Sequence, residues 1–256
     1  MNIPVVQGTI ARRMLVNFRA DPGVVQALLP APFRPKTHAG FAIVGVCLIR
    51  LEKIRPKGWP ALLGMSSENA AHRFAVEWNG PDGLKEGVFI PRRDTGSLLN
   101  YLAGGRIFPG EHNWAGFKVT EKENAIRFAM RSRDGKVCIR LKGQPADFLP
   151  GSSCFASVRE ASAFFEGGCT GFSVRHNSSE LDGLVLATRS WKVDALLVTG
   201  LEASYFDDIS RFPSGSIEFD HALLMQNIEH EWCPAPSLPP APVAGRIPLA
   251  TTTCAD

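Results

Sequence analysis

The sequence predicts a mainly β fold, α+β with few short helices, its strands antiparallel. Three observations predict it: several runs alternate apolar and polar residues, one pair of runs is joined by an Asp-Gly turn, and helix-start signals open only short segments.

The elements follow in chain order. Asp21 reads as an N-cap with Pro22 in the first helical position, opening a helix from Gly23 to Leu29. Phe41 to Leu51 is a long β-prone run whose end alternates apolar and charged residues. His72 to Trp78 alternates before the turn Asn79-Gly80-Pro81-Asp82-Gly83, and both runs fit antiparallel strands. Thr95 or Ser97 caps a second helix in which Leu98, Leu99 and Leu102 share one face and Gly104-Gly105 ends it. Ala125 to Ser132 meets Val137 to Leu141 across Arg133-Asp134-Gly135-Lys136, a hairpin signal because Asp-Gly suits the left-handed turn. A third helix spans Ser157 to Phe165 and stops at Gly167-Gly168.

From Cys233 onward come Pro234, Pro236, Pro239, Pro240, Pro242 and Pro248, and proline at this density removes ladder donors. Residues 1–233 are therefore expected to form a single β domain and 234–256 a proline-rich tail. The tail reads as free, with an extended strip along a neighbouring subunit as the alternative.

A length of 256 residues is enough for one large core, and 45% hydrophobic with 21% charged residues is ordinary for a globular chain. A net charge of +3 is too small for a nucleic-acid footprint, so no nucleic acid is expected as partner. The six cysteines, Cys47, Cys138, Cys154, Cys169, Cys233 and Cys254, form no CxxC pair and no zinc-hairpin spacing. They read as reduced thiols packed as small hydrophobes, which implies a cytoplasmic protein without a metal. No apolar run approaches the roughly 18 residues of a membrane helix, and Met1-Asn2-Ile3-Pro4-Val5-Val6-Gln7 lacks a basic leader region, so no membrane association is expected. The absence of Gly-x-Ser-x-Gly, Gly-x-x-x-x-Gly-Lys, His-Glu-x-x-His and dinucleotide glycine patterns disfavours hydrolase, nucleotide and zinc-protease readings, and no cofactor is expected.

Polar groups concentrate around Gly104 to Ala115, with Pro91 to Gly96 and Ser66 to Arg73 as companion segments. Glu68 is a candidate acid or base, or a turn cap. Arg92 and Arg93 are adjacent, so in a strand only one can face a pocket, where its planar fork would suit a carboxylate ligand or a structural pair. Arg106 follows two glycines and is either a carboxylate clamp or a loop-fixing residue. His112, beside Glu111 in a turn, titrates in the range that proton transfer needs. His72, His230 and His221 are weaker candidates, the last because Asp220 next to it should face the other way.

The order of motifs resembles the acetoacetate decarboxylase-like superfamily: an early Arg-rich strand leading to Asp21-Pro22 and Leu28-Leu29-Pro30, then Glu68, Asn79-Gly80, Gly105-Arg106 and a proline turn. The closer likeness is to its YqjF-like branch, through residues 71–78, 90–95, 104–110 and 230–232, and it covers about residues 8–233. This resemblance implies an antiparallel, partly open β-barrel or cone around a central cavity, and a homo-oligomer. In the decarboxylase a Gly-Arg-Glu turn is followed by Pro-Lys-Lys, whose first lysine forms a Schiff base while the second depresses its pKa. Here those places fall near His112 and Asn113, neither of which can form an imine. The family's pocket glutamate maps to Glu68 and its early arginine to Arg12 or, as the second choice, Arg13. Its second glutamate has no counterpart between Asp94 and Leu102.

The expectation is a protein that binds a small anionic molecule, a carboxylate or keto acid, in a central β cavity walled by Arg12, Glu68, Arg93, Arg106 and His112. Whether it is an enzyme stays open. Lysine-dependent acetoacetate decarboxylation is not expected; a lyase-like proton-transfer, hydration or aldol-type step with Glu68 or His112 as acid or base is the catalytic option. The alternatives are a non-catalytic binding or assembly module with a structural polar cluster, and a Schiff-base lyase using Lys118.

Overall fold

The computed structural model describes residues 5–103, 109–122, 125–175 and 179–238. The first strand, β1 (Val6–Ala20), leads into helix α1 (Pro22–Leu28), where the Asp21 carboxylate accepts from the Val24 N–H as the sequence requires. After two short pieces, β2 (Arg34–Pro35) and β3 (Thr37–His38), come the long strands β4 (Phe41–Pro56), β5 (Met65–Gly80) and β6 (Gly83–Thr95). Helix α2 (Leu98–Ala103) separates them from β7 (His112–Lys122), β8 (Ala125–Ser132) and β9 (Cys138–Ala146). The expected hairpin joins β8 to β9, with Arg131 opposite Cys138 and Gly135 at φ 72° in the turn. Helix α3 (Val158–Glu166), capped by Ser157, is followed by β10 (Thr170–Val174), β11 (Leu181–Thr188), β12 (Asp194–Ala203) and β13 (Ile217–Leu238).

These strands form one mixed sheet that returns on itself twice. The larger circuit runs β6-β7-β8-β9-β12-β13-β1-β4-β5 and closes where β5 pairs with β6. The smaller runs β6-β10-β11-β13-β1-β4-β5 and closes at the same place. Strands β13, β1, β4, β5 and β6 are therefore a wall shared by both. The sharing is possible because β6 and β13 fork. Strand β6 pairs with β10 at Val88 and Phe89 and with β7 from Arg93 to Thr95. Strand β13 pairs with β12 at Ala222 to Leu224 and with β11 from His230 to Leu238. Most pairings are antiparallel, as expected; the exceptions lie at β6, whose pairings with β7 and β10 are parallel.

Burial follows from this arrangement. A wall with a core on each side must be apolar on both faces, and β4 is buried from Ala42 to Ile49 without alternation. Strand β8 has only one covered face and alternates, with Ile126, Phe128, Met130 and Ser132 buried. The larger circuit is filled by Met14, Val16, Phe74, Phe128, Ile139 and their neighbours, and the smaller holds Leu15, Ile49, Phe165 and Met225 among others.

Strand β13 continues through Pro234 and Pro236, so the boundary expected at residue 233 falls inside a strand. Its pairing with β1 stops at Trp232, and beyond that β13 has β11 alone as neighbour. Prolines without ladder hydrogens are tolerated on such an edge. The prolines from 239 onward lie outside the described residues.

Candidate functional site

Arg12 and Arg13 are consecutive in β1 and point into different circuits, as strand alternation demands. Arg12, only 1% exposed, enters the larger one, where it donates to Glu68 Oε2 at 2.6 Å and to Glu121 Oε1. Arg12, Arg50 and Glu68 are register partners across β1, β4 and β5, and Arg50 lies 3.7 Å from both Glu68 and Glu121. Burial pushes the Glu68 carboxyl up, against the opposing pull of Arg12 and Arg50. With its two carboxylates matched by two guanidiniums, Arg12 buried and Arg50 and Glu121 exposed, this cluster ties β1, β5 and β7 together.

The smaller circuit holds an inner cavity to which every one of its strands contributes: Arg13 and Leu15, Cys47 and Ile49, Ala71 and Arg73, Val88, Ile90 and Arg93, Gly171, Leu184 and Leu186, and Trp232, with Phe165 of α3 also lining it. It is about 120 Å³, and an adjoining chamber of about 80 Å³ shares Arg93 and Trp232 and adds His112. That is room for a small organic acid and too little for a nucleotide. A larger concavity of about 500 Å³ lies on the outer face of β7, β8, β9 and β12, lined by Lys118, Arg127, Arg140 and Lys142. It is open to solvent, and the buried polar groups are elsewhere.

Three guanidiniums line this inner cavity. Arg13 donates from Nε to the Cys47 sulfur at 3.3 Å and lies over the Trp191 ring. Arg73, 3% exposed, donates to Asn17 Oδ1 and stacks 4.5 Å from the Phe165 centroid. Arg93 has a buried Nε without a partner among the described residues, as does Arg73. Among the described residues no carboxylate lies within ion-pair distance of Arg13, Arg73 or Arg93; Asp94 is taken by Arg92, 2.7 Å away on the other face. Burial draws Arg73 and Arg93 down to about 10, which still leaves both protonated at neutral pH. A guanidinium buried like that of Arg73, with the half-buried Arg13 and Arg93 beside it, costs several kcal/mol unless something anionic joins it.

His112 stands beside Arg93, its register partner where β6 meets β7. Its Nδ1 is 3.2 Å from the Gly110 carbonyl, which only accepts, so Nδ1 carries the hydrogen and Nε2 the lone pair. Burial and the Arg93 charge lower it to about 4, so the ring is neutral at pH 7.

The expected single site is thus two places. Arg93 and His112 line the cavity; Arg12 and Glu68 lie on the opposite face of the shared wall, because residue parity in β1 and β5 sends them there. Glu68 and His112 therefore do not share one cavity. Arg106 lies outside the described residues. Lys118 is exposed on the outer face of β7, between Phe117 and Val119 that pack inward, where it lines the outer concavity, and no lysine lines the inner cavity among the described residues. Arg92 is not a free surface charge but is bound to Asp94 and Asp134. The sequence reading missed Arg73, and ranked Arg13 second; the uninterrupted apolar run from Phe41 to Ile49 in β4, marking a wall with two lined faces, was the available signal. Of the described cysteines only Cys47 is buried, and the other four are half-buried free thiols.

The fold, a β wall serving two circuits, is shared with solved structures of the acetoacetate decarboxylase-like type. The acetoacetate decarboxylase of Legionella pneumophila superposes with a TM-score of 0.62 at 14% identity, covering 93% of this chain and 89% of that one. An acetoacetate decarboxylase-like enzyme from Sphingomonas wittichii RW1 gives 0.59 at 13%, covering 93% and 94%. The enduracididine biosynthesis enzyme MppR, in complex with pyruvate, gives 0.58 at 9%, covering 93% and 91%. The chain belongs to the DUF2071 family, described as an uncharacterized conserved protein, whose model matches residues 8–185. A search of curated proteins gave no significant match. Among the described residues no helix is long and apolar enough to cross a membrane.

Proposed function

We propose that this protein binds a small carboxylate, a 2-oxo acid in the first instance, inside the smaller circuit, with Arg13, Arg73 and Arg93 as the anion-holding groups. One observation carries this reading: three guanidiniums line one inner cavity with no carboxylate of the described chain to neutralise them. Each charge-assisted hydrogen bond to a bound carboxylate contributes about 1.5–3 kcal/mol. The apolar remainder of the wall, Leu15, Ile49, Leu184 and Trp232, suits a short carbon skeleton. The pyruvate in the MppR complex supports the choice of ligand class.

His112, neutral and beside Arg93, is the group suited to take a proton from a carbon next to the ligand's carbonyl, and an arginine would hold the developing oxyanion. Lysine-based decarboxylation has no support. Calorimetric titration with pyruvate and oxaloacetate, with acetone as the uncharged control, tests the reading, together with thermal melts. Binding of the acids alone is expected, with a melting temperature that climbs as ligand is added. Equal response to acetone, or no response to either acid, would refute it.

A further inference from the structure

Arg73 reaches the cavity at the end of a buried hydrogen-bonded chain that begins at Asp220. Asp220 and His221 are neighbours in β13 and would normally face opposite ways. A β-bulge prevents this: Asn17 pairs with His221 and Phe18 with Phe219, leaving Asp220 without a register partner in β1. Asp220 Oδ1 and His221 Nδ1 are 2.5 Å apart, His221 Nε2 is 2.9 Å from Asn17 Nδ2, and Asn17 Oδ1 accepts from Arg73.

The chemistry of the end groups dictates every hydrogen between them. Arg73 can only donate, so it fixes Asn17 with its oxygen toward the guanidinium. The Asn17 amide then points one hydrogen at the Leu15 carbonyl, 3.2 Å away, and the other at His221, whose Nε2 must accept. His221 is thereby the neutral Nδ1–H form, donating to Asp220. The Asp220 carboxylate also accepts from the Ser153 hydroxyl at 2.6 Å and the Cys154 N–H at 2.9 Å, with Arg19 at 3.4 Å. Burial tends to raise it, but these donors hold it well below the ordinary carboxylate range.

The geometry points to Asp220, His221 and Asn17 as positioning residues that hold Arg73 aimed into the cavity, and that release it when His221 takes a second proton. This rests on the anion-site reading above. A proton on Nε2 would face the Asn17 NH2, donor against donor. Relief requires the amide to turn over, which presents its NH2 to a guanidinium that cannot accept. The groups around His221 are Asp220 on its own strand, Asn17 of β1, Arg73 of β5, His38 of β3, and the rings of Phe155 and Phe165 at 5.1 and 6.2 Å. Burial, together with Arg73 and His38, keeps the ring below its ordinary value despite Asp220.

The test uses the full chain. Long-range proton–nitrogen NMR at pH 7.5, assigned with His221→Gln, should show His221 as the Nδ1–H tautomer. Pyruvate affinity by calorimetry should fall about tenfold or more in Asn17→Ala, and in the wild type should be level above pH 6.5 and weaken in acid as the tautomer signal gives way to imidazolium. Asp220→Asn, which keeps the side-chain shape, should mix the two tautomers and weaken pyruvate, and it serves if Asn17→Ala does not fold. An Nε2–H tautomer in the wild type, or unchanged affinity in a folded Asn17→Ala or Asp220→Asn protein, overturns the relay while leaving the anion site standing. A wild type that binds neither pyruvate nor oxaloacetate overturns the anion site, and the role of the relay with it.

Discussion

Arg12 and Arg13 leave the same strand in opposite directions and meet opposite fates: Arg12 is bound by two carboxylates, Arg13 by a cysteine sulfur and an aromatic face. The first arrangement pairs its guanidinium with carboxylates, and the second has no carboxylate within ion-pair distance among the described residues. Because the wall between them is shared, substitutions on the two faces should separate stability from binding.

Removing an uncompensated cavity charge should weaken binding and strengthen the fold. Arg93→Met is expected to raise unfolding free energy in the absence of ligand by about 1 kcal/mol or more, while pyruvate affinity drops about tenfold or more. Urea denaturation and calorimetry on the same sample measure both; a less stable variant that binds pyruvate normally would contradict the assignment.

Arg12→Met should do the reverse. It leaves Glu68 and Glu121 facing each other with the half-exposed Arg50 as their remaining partner, so a loss approaching about 3 kcal/mol is expected, with pyruvate affinity unchanged. Adding Glu68→Gln should restore part of the loss, a coupling that a double-mutant cycle in urea reads directly.

Acid should destabilise the fold through its buried histidines. His72 is lowered to about 3 by burial and by the Arg92 and Arg211 charges, and Asp94 at 3.9 Å is beyond hydrogen-bonding reach. The unfolded chain therefore binds a proton near pH 6.5 that the folded one refuses until about pH 3, so stability is lost as pH falls through that window. Each such histidine contributes up to about 1.4 kcal/mol per pH unit. His72→Phe, placed against Tyr205 and Phe206, should flatten the urea-derived stability profile between pH 6 and 4. His112 and His230, both lowered to about 4, should keep the remaining slope above zero.

The smaller circuit depends on close approach at its fork. A Cβ at Gly87 would lie 2.6 Å from the Thr170 carbonyl oxygen and 3.2 Å from the Trp78 ring. Gly87→Val should push β10 off β6 and abolish pyruvate binding, with faster amide exchange in β10 and β11 than in β8 and β9.

What was legible in the sequence is what is local. The Asp21 cap, the Asp134-Gly135 hairpin and the helix after Ser157 need only their own neighbours, and each forms where expected. Alternation also separated Arg92 from Arg93. It could not say which of Arg12 and Arg13 faces a cavity, because β1 is buried on both sides and both parities look like core. Nor could it find the Asp220–His221 pair, since a bulge is set by register with a distant strand. The forks of β6 and β13, which create the second cavity, are contacts between remote segments with no local signature.

The account turns on one claim, that an anion belongs among Arg13, Arg73 and Arg93. Crystals grown with pyruvate test it most directly. Carboxylate density within hydrogen-bonding distance of at least two of these guanidiniums is the expected result. Pyruvate bound only in the outer concavity beside Lys118, with the inner cavity holding water alone, would contradict it.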